Sequence, residues 1–317
     1  MRRNLVPPII RGFGVIFLLG WLAGPARAAD TAGPGAGALS VLVLGSGGPG
    51  ATGRAGAGYL ILLDGRPRIL VDAGPGTFVR AGEAGVDLGP VDIVLLTHLH
   101  IDHAGELAGL IKARVVAEHR DLEFTIFGPS GSAGGHGDAR FPSTTQFVDL
   151  LFGAHGAFSY VRDFAGHLTL HAHDVPPSPG PQVLLKERGL RISASTGHHG
   201  DAPSVIYRID YRGRSVTFSG DIDAAGHAAL ERLAQGSDAL VFDAVVLDPP
   251  GSPAVLYTLH TAPREIGLIA GRAGVKKLLL SHLNPAVDQA RDAVRRSIAQ
   301  SYAGPIEFAR DGLRYEP

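Results

Sequence analysis

Apolar residues along this chain fall in short dense runs, separated by glycine, proline and polar turns. LSVLVLG, Leu39 to Gly45, is a Val-rich run of the kind that forms a buried strand. GYLILLDGRPRILVDAG predicts two strands joined by a turn at Asp64-Gly65. VDIVLLTH, Val91 to His98, predicts a further buried strand. The period then changes: in HAGELAGLIKA, His103 to Ala113, Leu107, Leu110 and Ile111 share one helical face. FTIFGPSG predicts a short strand and turn, and RGLRISAST, Arg188 to Thr196, another strand. SVIYRIDYRGRSVTFSGD predicts a hairpin turning near Arg212-Gly213. AAGHAALERLAQGSDALVFDAVV and TAPREIGLIAGRAGVKKLLLSH each predict a helix followed by a strand. From Gly131 to about Pro181 the pattern is irregular and rich in Gly, Pro and aromatics. That is long for a loop, and it predicts an insertion, 131–181, with short helices of its own.

Strands and helices thus alternate in two halves with hairpins inside each, which predicts an α/β fold. VLLTHLH at 94–100 and LLLSHLN at 278–284 echo one another. The echo suggests two related β/α halves meeting at a common site. A chance likeness between two buried strands accounts for so few residues equally well.

The N-terminus has a different character. Arg2 and Arg3 precede an apolar run from Gly12 to Ala23, and Ala26 and Ala28 follow in an A-x-A arrangement. This three-part pattern predicts a secretory signal peptide at 1–28, cut after Ala28, and hence a periplasmic or secreted protein. The run is shorter than the roughly 20 residues of a spanning helix, and Arg11 interrupts its start. No stable membrane insertion is expected after cleavage. A small, Gly-rich linker at 29–38 leads into a folded domain at 39–317.

Composition narrows the chemistry. The 317 residues are 45% apolar and 19% charged, with a formal net charge of −1. Nothing in that balance suggests a surface built for phosphate backbones, which argues against nucleic acid as a partner. There are no cysteines, so thiolate metal sites and cysteine nucleophiles are excluded. With 14 histidines available, any metal site must be built from imidazole and carboxylate.

GSGGPG, Gly45 to Gly50, matches a dinucleotide-binding fingerprint after a strand, but no helix follows to meet a pyrophosphate. It reads as a tight turn beside the active site. THLHIDH, Thr97 to His103, carries more weight, with four candidate ligands at the end of a buried strand. In an extended loop His98 and His100 project from one side and can share an ion. Asp102 and His103 open the following helix and face a second, at the spacing of a two-metal site. Further ligands must come from later strand ends. GHHG at 197–200, SGD ending at Asp221 and LSH ending at His282 all sit just beyond apolar strands.

Asp72 in VDAG, the H-x-H-x-D-H run, a later histidine, Asp221 and a strand-end histidine form an ordered set that resembles the metallo-β-lactamase fold superfamily. Within it the chain is similar to the branch containing RNase Z and arylsulfatase-like hydrolases. VLGSGGP, FGPSG at 127–131 and LHTAPREIGLIAGRAGVKKLLLSHLNP carry the likeness. The resemblance implies an αββα sandwich of two mixed sheets with helices outside, in two related halves. It implies that His98, His100 and His199 hold one divalent ion and Asp102, His103 and His282 a second, with Asp221 bridging. It places Asp72 in a structural role, His260 as proton donor to a leaving group, and Asp243 where relatives carry a supporting carboxylate. Phe242 precedes Asp243 here where relatives often have a histidine. Zinc suits such ligands, and manganese or iron also do. Asp102, His260 and Asp243 are thus the candidate catalytic side chains. Of the GHHG pair, His199 is the expected ligand and His198 a neighbour.

Other histidines carry weaker signals. His171 and His173 form a second H-x-H without the following Asp-His pair and are expected to be solvated or to line a pocket. His136, His155 and His167 fall in the insertion, where Arg140, Tyr160 and Arg162 could meet an anionic substrate, though an exposed structural role is expected for each. The leading expectation is an exported dinuclear metallohydrolase using a metal-bound hydroxide on small phosphodiesters or sulfate esters. RNase Z-like tRNA 3′ processing is the alternative, opposed by the signal peptide and the lack of a basic arm. Lactone or β-lactam hydrolysis on the same core stays open, as does the oligomeric state, a homodimer included.

Overall fold

The first half begins with β1 (Leu39–Gly45), β2 (Gly58–Leu63), β3 (Arg66–Val71), α1 (Thr77–Glu83), β4 (Ile93–Leu95), α2 (Ile101–Ala104), α3 (Leu107–Glu118) and β5 (Leu122–Pro129). A small hairpin, β6 (Ser132–Ala133) and β7 (Ala139–Phe141), then α4 (Thr144–Phe152) lead to β8 (Leu168–Val175). The second half holds β9 (Gln182–Glu187), β10 (Leu190–Thr196), β11 (Val205–Tyr211), β12 (Arg214–Phe218), α5 (His227–Leu233), β13 (Ala239–Asp243), α6 (Pro263–Arg272) and β14 (Lys277–Ser281). It closes with α7 (Pro285–Gln289), α8 (Arg291–Ile298), β15 (Ile306–Phe308) and β16 (Arg314–Tyr315). This computed structural model describes residues 37–50, 52–118, 120–133, 139–164, 166–178 and 180–317. The signal-peptide reading of 1–28, most of the 29–38 linker and His136 lie outside the described residues. No helix of the described residues is long and apolar enough to cross a membrane.

Two mixed seven-stranded sheets result, in the orders β16-β1-β2-β3-β4-β5-β8 and β9-β10-β11-β12-β13-β14-β15. Read across, each sheet shows three antiparallel pairings and then three parallel ones. The halves are therefore related, as expected. The two strands whose sequences echo are not equivalents, however: β4 occupies the place that β13 holds, and β14 the place of β5. Their likeness reflects a shared task, a buried strand ending in a polar loop.

The strands are nearly continuous apolar runs because both faces are covered. Between the sheets, Val41, Tyr59, Ile61 and Val71 pack with Ile192, Tyr207, Ile209 and Phe218. On its outer face the first sheet buries Leu42, Leu60 and Val94 against Leu107, Ile111 and Phe152 of the helices. The second sheet buries Leu240, Phe242 and Leu280 against Leu230, Ile266 and Ile298. This is the four-layered αββα sandwich.

Both predicted hairpin turns are present. Asp64 and Gly65 have φ of 49° and 76°, and Arg212 and Gly213 have 47° and 78°. Positive φ at both central residues is the two-residue turn that matches the strand twist. Two expectations change. The helix expected over His103 to Ala113 is two helices, because Glu106 leaves the helical pattern between them. Its Oε2 accepts from the Phe78 N–H at 2.7 Å and its own N–H donates to Ala73 O at 2.8 Å, tying the break to the start of α1. The stretch 131–181 carries a short helix, as expected, but it also contains β8, which pairs in parallel with β5 from Leu122↔Leu168 to Pro129↔Val175. Alternating exposure along β8, an edge strand, had disguised it as irregular.

The C-terminus returns to the first sheet, where β16 pairs with β1. Just before it, Asp311 accepts from Ser46 Oγ at 2.7 Å and from the Ala55 N–H at 2.9 Å. The Gly-rich turn after β1 is thereby pinned by the last residues of the chain.

Candidate metal centre

Chemistry-bearing side chains collect where β3, β4, β12, β13 and β14 end. The loop after β4 presents His98 and His100, whose Nε2 and Nδ1 lie 3.1 Å apart. His199, from the loop after β10, completes a group whose ligand atoms all lie within 4.8 Å of one another. A second such group joins Asp102, His103 and His282. There His282 Nε2 lies 2.9 Å from His103 Nε2 and 3.2 Å from Asp102 Oδ2. Asp221 stands between the groups, its Oδ2 3.8 Å from His103 Nε2 and 3.6 Å from His199 Nε2. The chain thus brings together the seven residues expected as metal ligands, and the same closeness also groups His98 with His103 and Asp221, and His260 with His199 and Asp221.

The surroundings orient these rings. Asp72, at the end of β3, accepts from the Thr97 N–H at 2.7 Å, from Thr97 Oγ1 at 2.8 Å and from His103 Nδ1 at 2.9 Å. That leaves His103 Nε2 for the site, which is the usual way a carboxylate fixes a ligating imidazole. His199 Nδ1 donates to Leu259 O at 2.8 Å, so its Nε2 also faces inward. Asp72 and His282 adopt φ of 56° and 55°, strained for residues with side chains. Gly220 has φ 56°, and a Cβ there would come within 2.8 Å of Thr97 Cβ, so the Asp221 loop can approach the histidine loop only with glycine at that point.

The donor set fits divalent cations. Asp221 Oδ1, His260 Nδ1 and His282 Nδ1 are buried with no hydrogen-bond partner. Buried polar atoms are rarely left so, and several of them turned toward one centre favour a bound cation. Imidazole and carboxylate suit zinc, manganese or iron. Burial would raise Asp221, yet His282, His260, His103 and His199 hold it well below the ordinary carboxylate range. For His103, burial works against the proton, but Asp72 outweighs it and lifts the ring to about 10. Burial pushes His98 well below its ordinary value, with His103 adding to the effect.

The other two candidate catalytic groups sit beside this cluster. His260 Nδ1 is 3.6 Å from Asp221 Oδ1, and burial lowers the ring to about 4. Asp243, at the end of β13, is raised to about 7 by burial, opposed by His282 and helped by Asp221. No hydrogen bond joins Asp243 to His260 among the described residues.

His198 is separate from the cluster. Its side chain is 52% exposed and Nδ1 meets Asp223 Oδ2 at 2.6 Å, whereas the His199 side chain is 2% exposed. Adjacent positions in this loop point apart, and His199 is the one turned inward. A cleft of about 290 Å³ opens beside the pair, between Pro129–Ser132 and the loop from Thr196 to Val205, with no lysine or arginine in its lining among the described residues.

The remaining candidates stand elsewhere. His171 and His173 lie exposed along β8, His173 stacking on Phe127 at 5.1 Å. Tyr160 lies under Lys112 at 5.2 Å, and Arg162 Nε donates to Phe152 O at 3.1 Å, which are structural contacts. His155 and His167 belong to none of the candidate metal groups. GSGGPG runs into a turn and then β2, with Gly48 N–H donating to Leu283 O at 3.2 Å, so it is a turn packed beside the His282 loop and not a dinucleotide site. Thr97, Asp223 and the Leu259 carbonyl were missed in the sequence. Threonine before the H-x-H run and the D-I-D spacing were the available signals, while nothing local marks a carbonyl sixty residues from its histidine.

The beta-lactamase superfamily domain model matches residues 67–283. Ribonuclease Z of Mycobacterium avium is 30% identical over 292 residues, covering 86% of this chain and 96% of that protein. Ribonuclease Z of Mycobacterium bovis is 30% identical over 295 residues, covering 88% and 98%. Among solved structures, the metallo-β-lactamase fold protein YhfI of Bacillus subtilis aligns with a TM-score of 0.65 at 22% identity, covering 88% of this chain and 99% of that one. The short form of human tRNase Z aligns at 0.64 and 19% identity, covering 87% and 98%. With its two matched sheets and its cluster of histidines and aspartates, the chain belongs to the metallo-β-lactamase fold superfamily, in the ribonuclease Z branch.

Proposed function

We propose that this hydrolase is a phosphodiesterase that works with two divalent cations and cuts RNA in the manner its relatives' names indicate. The observation that carries the reading is the pair of ligand groups converging on Asp221. His98, His100 and His199 would hold one cation, Asp102, His103 and His282 the other, and Asp221 both. Two such cations supply charge to polarise a phosphoryl oxygen and to activate water. Asp72 and the Leu259 carbonyl hold His103 and His199 in the tautomers that ligation needs. His260 is neutral near pH 7 at a value of about 4. Its Nδ1 lies 3.6 Å from Asp221 Oδ1, which places the ring where it could hand a proton to the leaving oxygen. Asp243, at the end of β13, is raised to about 7 by burial beside the cluster. RNA as partner departs from the expectation that net charge alone suggested; relatives of matching length support it.

The test is metal analysis of the purified protein with cleavage assays on precursor tRNA carrying a 3′ trailer and on bis-p-nitrophenyl phosphate. Stoichiometric metal and cleavage of the precursor are expected, and His98→Ala should abolish both activities while the fold persists. A protein without zinc, manganese or iron that cleaves neither substrate would defeat the reading. A second reading, an exported hydrolase of small anionic esters including sulfates, is favoured by the pattern at 1–28 and by a cleft wall without lysine or arginine among the described residues. A reporter fusion that exports, with turnover of the small ester and none of the precursor, selects it.

A further inference from the structure

The His198–Asp223 pair is built with more care than a surface contact requires. Asp223 is already committed to the backbone: Oδ2 accepts from the Gly200 N–H at 3.0 Å and Oδ1 from the Ala225 N–H at 2.9 Å. The Asp223 N–H in turn donates to His198 O at 2.8 Å. The loop is therefore held without the imidazole. Yet His198 Nδ1 donates to the same carboxylate at 2.6 Å, which fixes both the ring's orientation and its tautomer. In the neutral ring, with the proton on Nδ1, the lone pair is on Nε2. That atom has no partner among the described residues, on a side chain that is half exposed and borders the cleft next to His199. A carboxylate behind Nδ1 also makes Nε2 a better acceptor.

The cleft wall explains why this matters. Among the described residues its lining offers no lysine or arginine, and His198 is the one nitrogen-bearing side chain there apart from the candidate ligand His199. A pre-set acceptor there recognises a donor, and in a phosphodiester substrate the donor nearest the reacting phosphorus is a hydroxyl on the adjoining sugar. We propose that His198, oriented by Asp223, is a substrate-positioning residue that accepts a hydrogen bond from the 2′-hydroxyl of a ribonucleotide in this cleft. The inference rests on the phosphodiesterase reading and adds to it a means of telling ribose from deoxyribose, for which the 2′-hydroxyl is the handle.

The test uses the metal-loaded full chain and two probes, adenosine 3′-monophosphate and its 2′-deoxy counterpart, by calorimetry. The wild type should bind the ribo probe about five-fold more tightly, the order of one net hydrogen bond. His198→Ala should bring that ratio to about one, with metal content unchanged, and His198→Gln, which keeps an acceptor, should restore part of it. In turnover, KM for a ribo substrate should rise in His198→Ala while kcat holds, and KM for bis-p-nitrophenyl phosphate should not move. A wild-type ratio near one, a ratio that survives His198→Ala, or loss of a metal ion in that variant each overturns the proposal. Turnover of bis-p-nitrophenyl phosphate without ribose preference sinks this inference alone. Absence of turnover on any phosphodiester sinks the reading beneath it, while the binding ratio still decides the role of His198.

Discussion

The two sheets share one succession of pairings but furnish the site differently. The first sheet places His98, His100, Asp102 and His103 in a single loop after β4 and steadies them through Asp72 and Thr97. The second gives one residue at a time: His199 after β10, Asp221 after β12 and His282 after β14. The first half is a preassembled cluster whose internal hydrogen bonds orient it. The second half becomes a site only when the sandwich closes. One architecture therefore hosts both a local and a distributed solution to holding charge, and the distributed one depends on correct packing between the sheets.

That contrast can be broken most severely at Asp221, which touches both groups. Asp221→Ala should cost more than about a thousand-fold in kcat, roughly 4 kcal/mol of barrier, and lower the metal content. Full metal occupancy in that variant, by plasma emission spectrometry, would show that the halves bind independently. Removing the support of the local cluster should do less. Asp72→Asn leaves all seven candidate ligands in place but disturbs the His103 tautomer, and a ten- to hundred-fold weaker metal affinity is expected from chelator competition. An unchanged affinity would mean that the loop needs no carboxylate behind it.

A third prediction concerns pH. Asp243 is raised to about 7 in the folded chain, above the ordinary carboxyl value near 3.9 of an unfolded one. Between about pH 4 and pH 7 the folded state therefore holds a proton that the unfolded state has released, so stability falls as pH rises across that window. In chelator-treated protein Asp243→Asn should flatten this fall in urea titrations. A slope identical to wild type would remove Asp243 from the second half's electrostatics. The smallest effect is expected at the seam between halves. Tyr207 of β11 donates to Leu96 O of the β4 end at 3.0 Å, and Tyr207→Phe should cost about 1 kcal/mol, read as a small drop in Tm. A change above about 3 kcal/mol would indicate that this bond aligns the sheets as well as joining them.

The same contrast explains what could be read from the chain beforehand. The local cluster was legible because H-x-H-x-D-H concentrates its signal in one segment. His199, Asp221 and His282 were found by their position after apolar strands and by family likeness, since spacing alone does not join them to a cluster that ends 96 or more positions earlier, at His103. The hairpin turns were legible because Asp-Gly and Arg-Gly sit between alternating strands. β8 was not, since an edge strand with one exposed face, set among Gly and Pro, loses the dense apolar signature. The break between α2 and α3 was hidden too. Gly105 and Glu106 fit a helix locally, and only the contact of Glu106 with the start of α1 shows why the chain departs there.

The last strand has a consequence for the birth of the molecule. Because β16 pairs with β1, and Asp311 fastens the turn at Ser46 and Ala55, the β1 side of the first sheet stays uncovered until the chain has been made as far as Tyr315. A nascent chain that has already made its N-terminal histidine cluster still lacks its closing strand. A truncation before Arg314 would leave the β1 edge open to pair with other chains.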